Sequence, residues 1–279
     1  TLHRASGLLW CHHCGAQRPL PRRCPACAAT DLHPLGQGTE QLEGFLAERF
    51  ADYPLIRVDR DATARKGSLE RQLARLHAAE AAVLVGTQML AKGHHFPRVT
   101  LVGVLDADGG LYSADFRSTE RMAQLLVQVA GRAGRGDRPG QVLIQTRYPE
   151  HPLLCTLVRG GYAAFAAEAL RERREAGLPP YSHQALLRAD ATRIEFAQAF
   201  LEQVVDWAAG RARPGVELWG PVPAPMTRRA GRHRVHLLLQ AVQRDVLHGL
   251  LRELPVHAAS LDAARRVRWS LDVDPIDLY

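Results

Sequence analysis

Val85-Gly86-Thr87-Gln88-Met89-Leu90-Ala91-Lys92-Gly93-His94-His95-Phe96-Pro97 and Gln128-Val129-Ala130-Gly131-Arg132-Ala133-Gly134-Arg135 are the two stretches on which the fold reading turns. They sit beside a strand at Leu55–Val58 and continuous apolar runs at Ala82–Val85, Val99–Leu105 and Val142–Ile144. None of these runs alternates apolar with polar residues, as a strand with one wet face would. Helical spacing fills the intervals. After Gly36-Gln37-Gly38-Thr39, a turn and N-cap, Leu42, Phe45, Leu46 and Phe50 form one face; Leu69, Leu73 and Leu76 form another. Strands separated by helices predict a parallel sheet covered on both faces, and such sheets gather ligands at the carboxyl ends of their strands, where Thr87–Pro97 falls.

Met122, Leu125, Leu126 and Val129 predict an amphipathic helix from Ser118 to Val129 that runs into the glycine-rich Gly131–Gly134 turn. Arg132 and Arg135 then stand three apart on a tightly turned backbone. Guanidinium groups held this way match the spread charge of a transferring phosphoryl group, and one arginine in that role is worth about 10³–10⁵ in rate. The plainer reading is a solvated, arginine-rich helix end. Thr87, Gln88 and Lys92 offer a hydroxyl, an amide and an ammonium, all competent phosphate partners, although Thr87 could simply cap its turn. Asp106 and Asp108 follow a strand and invite an acid–base or metal reading; shaping of the loop is the preferred one.

Gln-x-x-Gly-Arg-x-Gly-Arg at 128–135 resembles motif VI of superfamily 2 helicases, and the 85–97 stretch resembles their motif V. Lys92–Pro97 is narrower and resembles the PriA family of replication-restart DNA helicases. That resemblance continues through Leu105-Asp106-Ala107-Asp108-Gly109-Gly110-Leu111, Asp115-Phe116-Arg117 and Gly177-Leu178-Pro179-Pro180-Tyr181-Ser182 to Arg268-Trp269-Ser270-Leu271-Asp272-Val273-Asp274-Pro275. It implies a second RecA-like helicase lobe in which Arg135 is the γ-phosphate finger, Arg132 the second arginine and Gln128 an orienting group. Thr87, Gln88 and Lys92 would touch the DNA backbone, and Gly93, His95 and Gly131 would border the nucleotide. His95 stands where many helicases carry an acidic residue that meets the ribose. Motor activity also needs a Gly-x-x-x-x-Gly-Lys-Ser/Thr loop and an acidic magnesium motif. The sequence contains only two lysines, Lys66 and Lys92, and neither follows such a loop. The expectation is a C-terminal part of a longer helicase, inactive toward ATP by itself, that would work with ATP and Mg²⁺ when complete.

Composition agrees with a nucleic-acid partner. The 279 residues carry a net charge of +7 and a pI near 9.5, with 46% apolar residues, enough for about two packed domains and a small appendage. Arginine dominates the basic residues, which a GC-rich genome would also produce. No apolar run approaches the roughly 18 residues of a membrane helix, and the expected location is the bacterial cytoplasm, at the nucleoid.

Cys11-x-x-Cys14 and Cys24-x-x-Cys27, nine residues apart, read as thiolate ligands on tight turns. Four thiolates could close one tetrahedral zinc site; two disulfides are the alternative. The PriA resemblance implies a different arrangement, with two zinc ions shared among four interleaved pairs. Cys11 and Cys14 would then form one half-site and Cys24 and Cys27 the other, each completed by an upstream pair. Cys155, in an apolar helical run, reads as a buried thiol.

Beyond a boundary near Gly160-Gly161 or Gly177–Pro180, the pattern is strand Gln184–Ala189, helix Glu195–Ala208, strand Val216–Trp219, strand Val235–Gln240, helix Asp245–Leu254 and strand Val267–Val273. That βαββαβ order predicts a ferredoxin-like domain. Arg228, Arg229, Arg232 and Arg234 cluster in what reads as a loop, and clustered arginines neutralise phosphates. The family implies that this domain recognises branched or forked DNA and helps to bind the acidic tail of single-stranded-DNA-binding protein, with Arg244 a candidate contact. The whole is read as an α/β chain: a partial zinc-binding region at 1–34, a RecA-like lobe with a parallel sheet at 35–160 and a ferredoxin-like C-terminal domain at 161–279. The function expected is an ATP-dependent 3′-to-5′ DNA helicase that restarts replication at stalled forks, with primosome proteins and the replicative helicase loader as partners. The alternative is an ATPase-dead, zinc-containing DNA-binding and primosome-assembly module.

Overall fold

A computed structural model describes residues 2–3, 8–10, 17–31, 39–58, 67–86, 99–113, 115–131, 133, 139–211 and 214–278. Two compact units emerge, Pro21–Ala166 and a second made of Thr1–Leu20 with Ala167–Tyr279. At the start of the chain β1 (Leu2–His3), β2 (Leu8–Trp10) and β3 (Gln17–Pro19) form a small antiparallel sheet, with Leu9 opposite both Leu2 and Arg18.

The Pro21–Ala166 unit runs α1 (Thr39–Arg49), β4 (Leu55–Val58), α2 (Ser68–Ala78), β5 (Val83–Gly86), β6 (Leu101–Val104), α3 (Asp108–Leu111), α4 (Arg117–Ala130), β7 (Gln141–Ile144) and the start of α5 (Pro152–Glu175). The strands pair in parallel as expected, β4 with β5 from Leu55↔Val83 to Val58↔Gly86, and β6 with β7 from Leu101↔Gln141 to Val104↔Ile144. Among the described residues no ladder joins the two pairs. Coverage of both faces fails at β6 and β7, where burial alternates and Leu101 and Leu143 are 56% and 60% exposed. On α1 the expected face is likewise split: Leu42 and Leu46 are half-buried, whereas Phe45 and Phe50 are exposed.

The α4 stripe is the firmest part of this unit. Met122, Ala123 and Leu126 are buried at helical spacing. Gly110 makes the approach of α3 possible, because a Cβ there would lie 2.6 Å from the Met122 Cβ. Among the described residues α5 is the one helix long and apolar enough to cross a membrane. It breaks at Gly161, whose φ of 73° and ψ of −173° suit glycine, so neither half reaches the roughly 20 residues of a span.

The C-terminal sheet is built from β8 (His183–Ala191), β9 (Val216–Arg229), β10 (Arg232–Ala241) and β11 (Arg268–Val273), with α6 (Ile194–Ala209) and α7 (Arg244–Ser260) as crossovers. The order β11-β8-β10-β9, antiparallel throughout, is the ferredoxin-like arrangement that the pattern predicts. Alternate residues Ala185, Leu187, Ala189 and Ala191 of β8 and Val235, Leu237, Leu239 and Ala241 of β10 meet Phe200, Leu201 and Val204 of α6 and Leu247, Leu251 and Leu254 of α7. Trp269 stacks on Phe200 with ring centroids 6.1 Å apart.

Two expectations change here. The strand read at Val216–Trp219 continues through the proline-rich Gly220–Pro225 run, because β9 is an edge strand and tolerates proline where its register against β10 shifts. Arg228–Arg234 is correspondingly a hairpin. Ala230 and Gly231, with φ of 47° and 76°, make the two-residue turn between Arg229 and Arg232.

The face of the sheet opposite the helices buries polar groups beside Leu186. Gln184, Arg234 and His236 are 2%, 6% and 5% exposed. The ends of the module tie it down: Gln184 donates to Gln240 at 2.6 Å, Gln240 to the Gly177 carbonyl at 3.3 Å, and Arg188 to Asp272 at 2.8 Å and to the Asp277 carbonyl at 3.0 Å. Burial, reinforced by Arg234 and Arg188, pushes the His236 imidazole down to about 4 from 6.5. The folded chain therefore holds a neutral ring that the unfolded chain protonates below pH 6.5. Stability from this group is complete above pH 6.5 and drains away as pH falls toward 4, by about 3 kcal/mol in all. The denaturant midpoint should thus fall more steeply between pH 6.5 and 4 in the native chain than in His236→Gln; parallel pH profiles would refute the assignment.

Candidate functional site

The quoted motifs hang on α4 and on the strand ends around it. Asp115 sets the start of α4. Its carboxylate is wholly buried, accepts the Arg117 backbone N–H at 3.0 Å and pairs with the Arg121 guanidinium at 3.2 Å, while its own N–H donates to the Ser113 hydroxyl at 3.2 Å. A carboxylate at this end of a helix also meets the positive pole of its dipole. Asp108 links strand ends. It accepts the Thr146 hydroxyl at 2.5 Å and the Arg147 N–H at 3.1 Å, which fastens the loop after β6 to the loop after β7. That is the loop-shaping role preferred for it. Asp106 is exposed and sits in the left-handed region, with φ of 56°.

Gln128 lies exposed near the end of α4, and Gly131 closes the helix by donating to the Val127 carbonyl at 2.9 Å. Arg132 and Arg135 lie outside the described residues, as do Thr87, Gln88, Lys92, Gly93 and His95. Of the nucleotide and DNA-backbone set on this unit, the structure therefore places Gln128 and Gly131 on one helix end.

Cys24 and Cys27 sit on a tight turn in which the Ala28 N–H reaches the Cys24 carbonyl and the Cys24 N–H reaches the Ala29 carbonyl, both at 2.8 Å. Both thiols are free. The Cys27 backbone N–H, then that of Ala26, then the Cys27 thiol hydrogen-bond the Cys24 sulfur and hold its pKa below the ordinary thiol value. N–H groups aimed at a sulfur favour the thiolate, the form that ligates zinc, so this pair fits a half-site. Cys11 and Cys14 lie outside the described residues. Cys155 is half-buried rather than core, and its thiol donates to the Pro149 carbonyl at 3.4 Å.

On the C-terminal sheet Arg228 and Arg229 are exposed and Arg232 is half-buried at the hairpin tip. Arg229 faces Arg232 directly across the two strands. Arg234 differs from its neighbours: its side chain is 8% exposed and its Nε lies 3.5 Å from Asp190. Arg244 is exposed at the first turn of α7, with Nε 3.5 Å from the His248 Nε2.

Three family models match this chain. The helicase conserved C-terminal domain covers residues 35–137, the primosomal protein N C-terminal domain residues 174–276, and the Cys-rich region of the PriA DNA helicase residues 1–19. The replication restart protein PriA of Haemophilus influenzae is 49% identical over 278 residues, 100% of this chain and 38% of that protein. Its namesake from Bacillus subtilis is 36% identical over 99% of this chain and 34% of its own length, and that from Synechocystis 37% identical over 97% and 32%. The chain belongs to the PriA family. It spans about a third of the length of these PriA relatives. Among solved structures, the de novo designed protein Foldit4 covers 34% of this chain and 99% of its own at 14% identity and a TM-score of 0.27, too low to carry an argument.

The stretch at 128–135, which resembles motif VI of superfamily 2 helicases, begins on the last turn of α4. Sequence reading missed the device that fixes the start of this helix. Asp115 was noted only as part of a family run, and a lone carboxylate before a helix gives no sign of its burial. Replacing Asp115 by Ala removes the acceptor of the Arg117 N–H and the buried carboxylate paired with Arg121. Loss of about 1–3 kcal/mol from this unit is expected, read as an earlier denaturation of α4 by hydrogen exchange; unchanged protection of Met122–Leu126 would show that the anchor is dispensable.

Proposed function

We propose that this chain contributes the second motor lobe and the DNA-recognition domain of an ATP-dependent 3′-to-5′ DNA helicase that restarts replication at stalled forks. PriA-family membership and the two motif stretches, which directly follow β5 and close α4, support that reading. In the complete protein Arg135 would meet the γ-phosphate, Arg132 would second it and Gln128 would orient the group. Gly93, His95 and Gly131 would border the nucleotide, and Thr87, Gln88 and Lys92 would grip the DNA backbone. Magnesium would serve the phosphates from elsewhere in the motor. Cys24 and Cys27 would supply two thiolates to one zinc ion and Cys11 and Cys14 two to another; the metal would lock the local turns. Arg244 would receive the acidic tail of single-stranded-DNA-binding protein, and primosome proteins with the helicase loader would follow at the fork, in the cytoplasm at the nucleoid.

The observation that carries the DNA reading is the hairpin tip. Like charges placed directly opposite on neighbouring strands are destabilising, and Arg229 and Arg232 are so placed. A phosphate between them turns that repulsion into two charge-assisted hydrogen bonds. With Arg228 alongside, about three phosphates come within the tip's charge. Arg234, paired with Asp190, would support the hairpin from within. The triple variant Arg228→Ala/Arg229→Ala/Arg232→Ala should weaken binding to forked DNA and reduce the slope of log affinity against log salt by roughly 2–3, at about 0.9 per phosphate. An unchanged slope would remove the hairpin from the interface. For the metal, Cys24→Ser should lower the zinc bound per chain in elemental analysis; undiminished content would take this cysteine out of the ligand set.

A further inference from the structure

Tyr112 and Tyr148 form an exposed aromatic pair that neither motif stretch includes. Their rings stand 4.6 Å apart at 57°, and both remain open, 59% and 47% exposed. His151 backs Tyr112 edge-on at 5.9 Å, and its Nδ1 is buried without a hydrogen-bond partner. Two large rings in contact yet half in water have spent only part of their apolar area. Their backbones are held: the Tyr112 N–H donates to the Asp108 carbonyl at 3.1 Å, the Tyr148 N–H to the Thr146 hydroxyl at 3.0 Å, and the His151 N–H to the Tyr148 carbonyl at 3.0 Å. The Asp108 carboxylate joins those anchors through Thr146 and Arg147. The pair thus sits rigidly beyond the carboxyl ends of β6 and β7, where open α/β sheets bind ligands. Arg147, adjacent and exposed, supplies positive charge.

We infer that Tyr112 and Tyr148 form a stacking platform for an unpaired nucleobase, either of single-stranded DNA or of a free nucleotide. A flat base presents a π-face to either ring whatever its identity, and the Arg147 guanidinium reaches the accompanying phosphate. The inference rests on the nucleic-acid reading above, although it needs none of the hairpin arginines.

The test compares this chain's binding to a fluorescein-labelled oligothymidylate with its binding to an abasic strand of equal length and charge. The native chain should prefer the strand with bases, and Tyr112→Leu/Tyr148→Leu should lose about 5–100-fold toward the based strand while abasic binding stays level, since base stacking on one aromatic ring is worth about 1–3 kcal/mol. Tyr112→Phe/Tyr148→Phe should restore the preference, because it keeps the rings and removes only the hydroxyls. A parallel titration with fluorescent adenine nucleotide separates the two sources: weakening of that ligand in the Leu variant assigns the platform to nucleotide, and weakening of the oligonucleotide alone assigns it to DNA. Equal binding of based and abasic strands by the native chain, with nucleotide binding untouched by the Leu variant, overturns the platform and leaves the nucleic-acid reading standing. Failure to bind either strand at all, again with no effect on nucleotide, overturns both.

Discussion

One carboxylate, that of Asp108, lies across the ends of two parallel strands, and much of the helicase-type unit hangs from it. Strands β6 and β7 are four residues each, and a parallel ladder this short has few bonds, slanted and slightly weaker per residue than antiparallel ones. Such a pair needs fastening at its tips. Asp108 does this through Thr146 and Arg147, the Gln145 N–H adds a bond of 2.8 Å to the Val104 carbonyl, and the Ala107 N–H adds one of 3.2 Å to the Gln145 carbonyl. The same residue opens α3, whose Gly110 lies against Met122 of α4. Strand tips, short helix and motif-bearing helix are therefore linked by successive contacts, and Asp115 closes the series at the start of α4.

Where hydrophobic period carried the signal, the sequence was an accurate guide. The helix read at Ser118–Val129 is Arg117–Ala130, and the strand at Leu55–Val58 has those bounds. The βαββαβ order of the C-terminal domain was legible for the same reason, since Phe200, Val204, Leu247 and Leu251 recur at helical spacing against alternating strands. Failures came where a residue type was given its usual address. The strand was ended at Trp219, ahead of the prolines, but an edge strand admits proline where its register shifts. Arginines were taken as surface, but Arg234 is turned inward by Asp190. Continuous apolar runs were taken as doubly buried, but β6 and β7 leave Leu101 and Leu143 open. The tyrosine pair was invisible because its members are 36 positions apart in sequence (148 − 112) and meet only once β6 and β7 pair.

The two polar features of the C-terminal sheet work in opposite senses. Beneath the sheet, Arg188, Asp272 and Asp277 form a network with Arg188 largely enclosed, and breaking one member of such a network costs more than making it gains. At the hairpin tip the arginines face one another in water, where repulsion is screened by salt and small. The first arrangement fixes the shape of the module and the second leaves a concentrated positive charge at the surface.

The prolines of β9 have a consequence for the solution behaviour of the domain. A four-stranded open sheet has two edges, and an unprotected edge is a template for a further strand from any neighbouring molecule. Pro221, Pro223 and Pro225 interrupt the row of donors along β9, so that edge cannot be extended in regular register. The opposite edge, β11, has no proline to interrupt its donors. Growth of the C-terminal sheet by strand addition is thereby hindered along β9, at the side where the hairpin emerges.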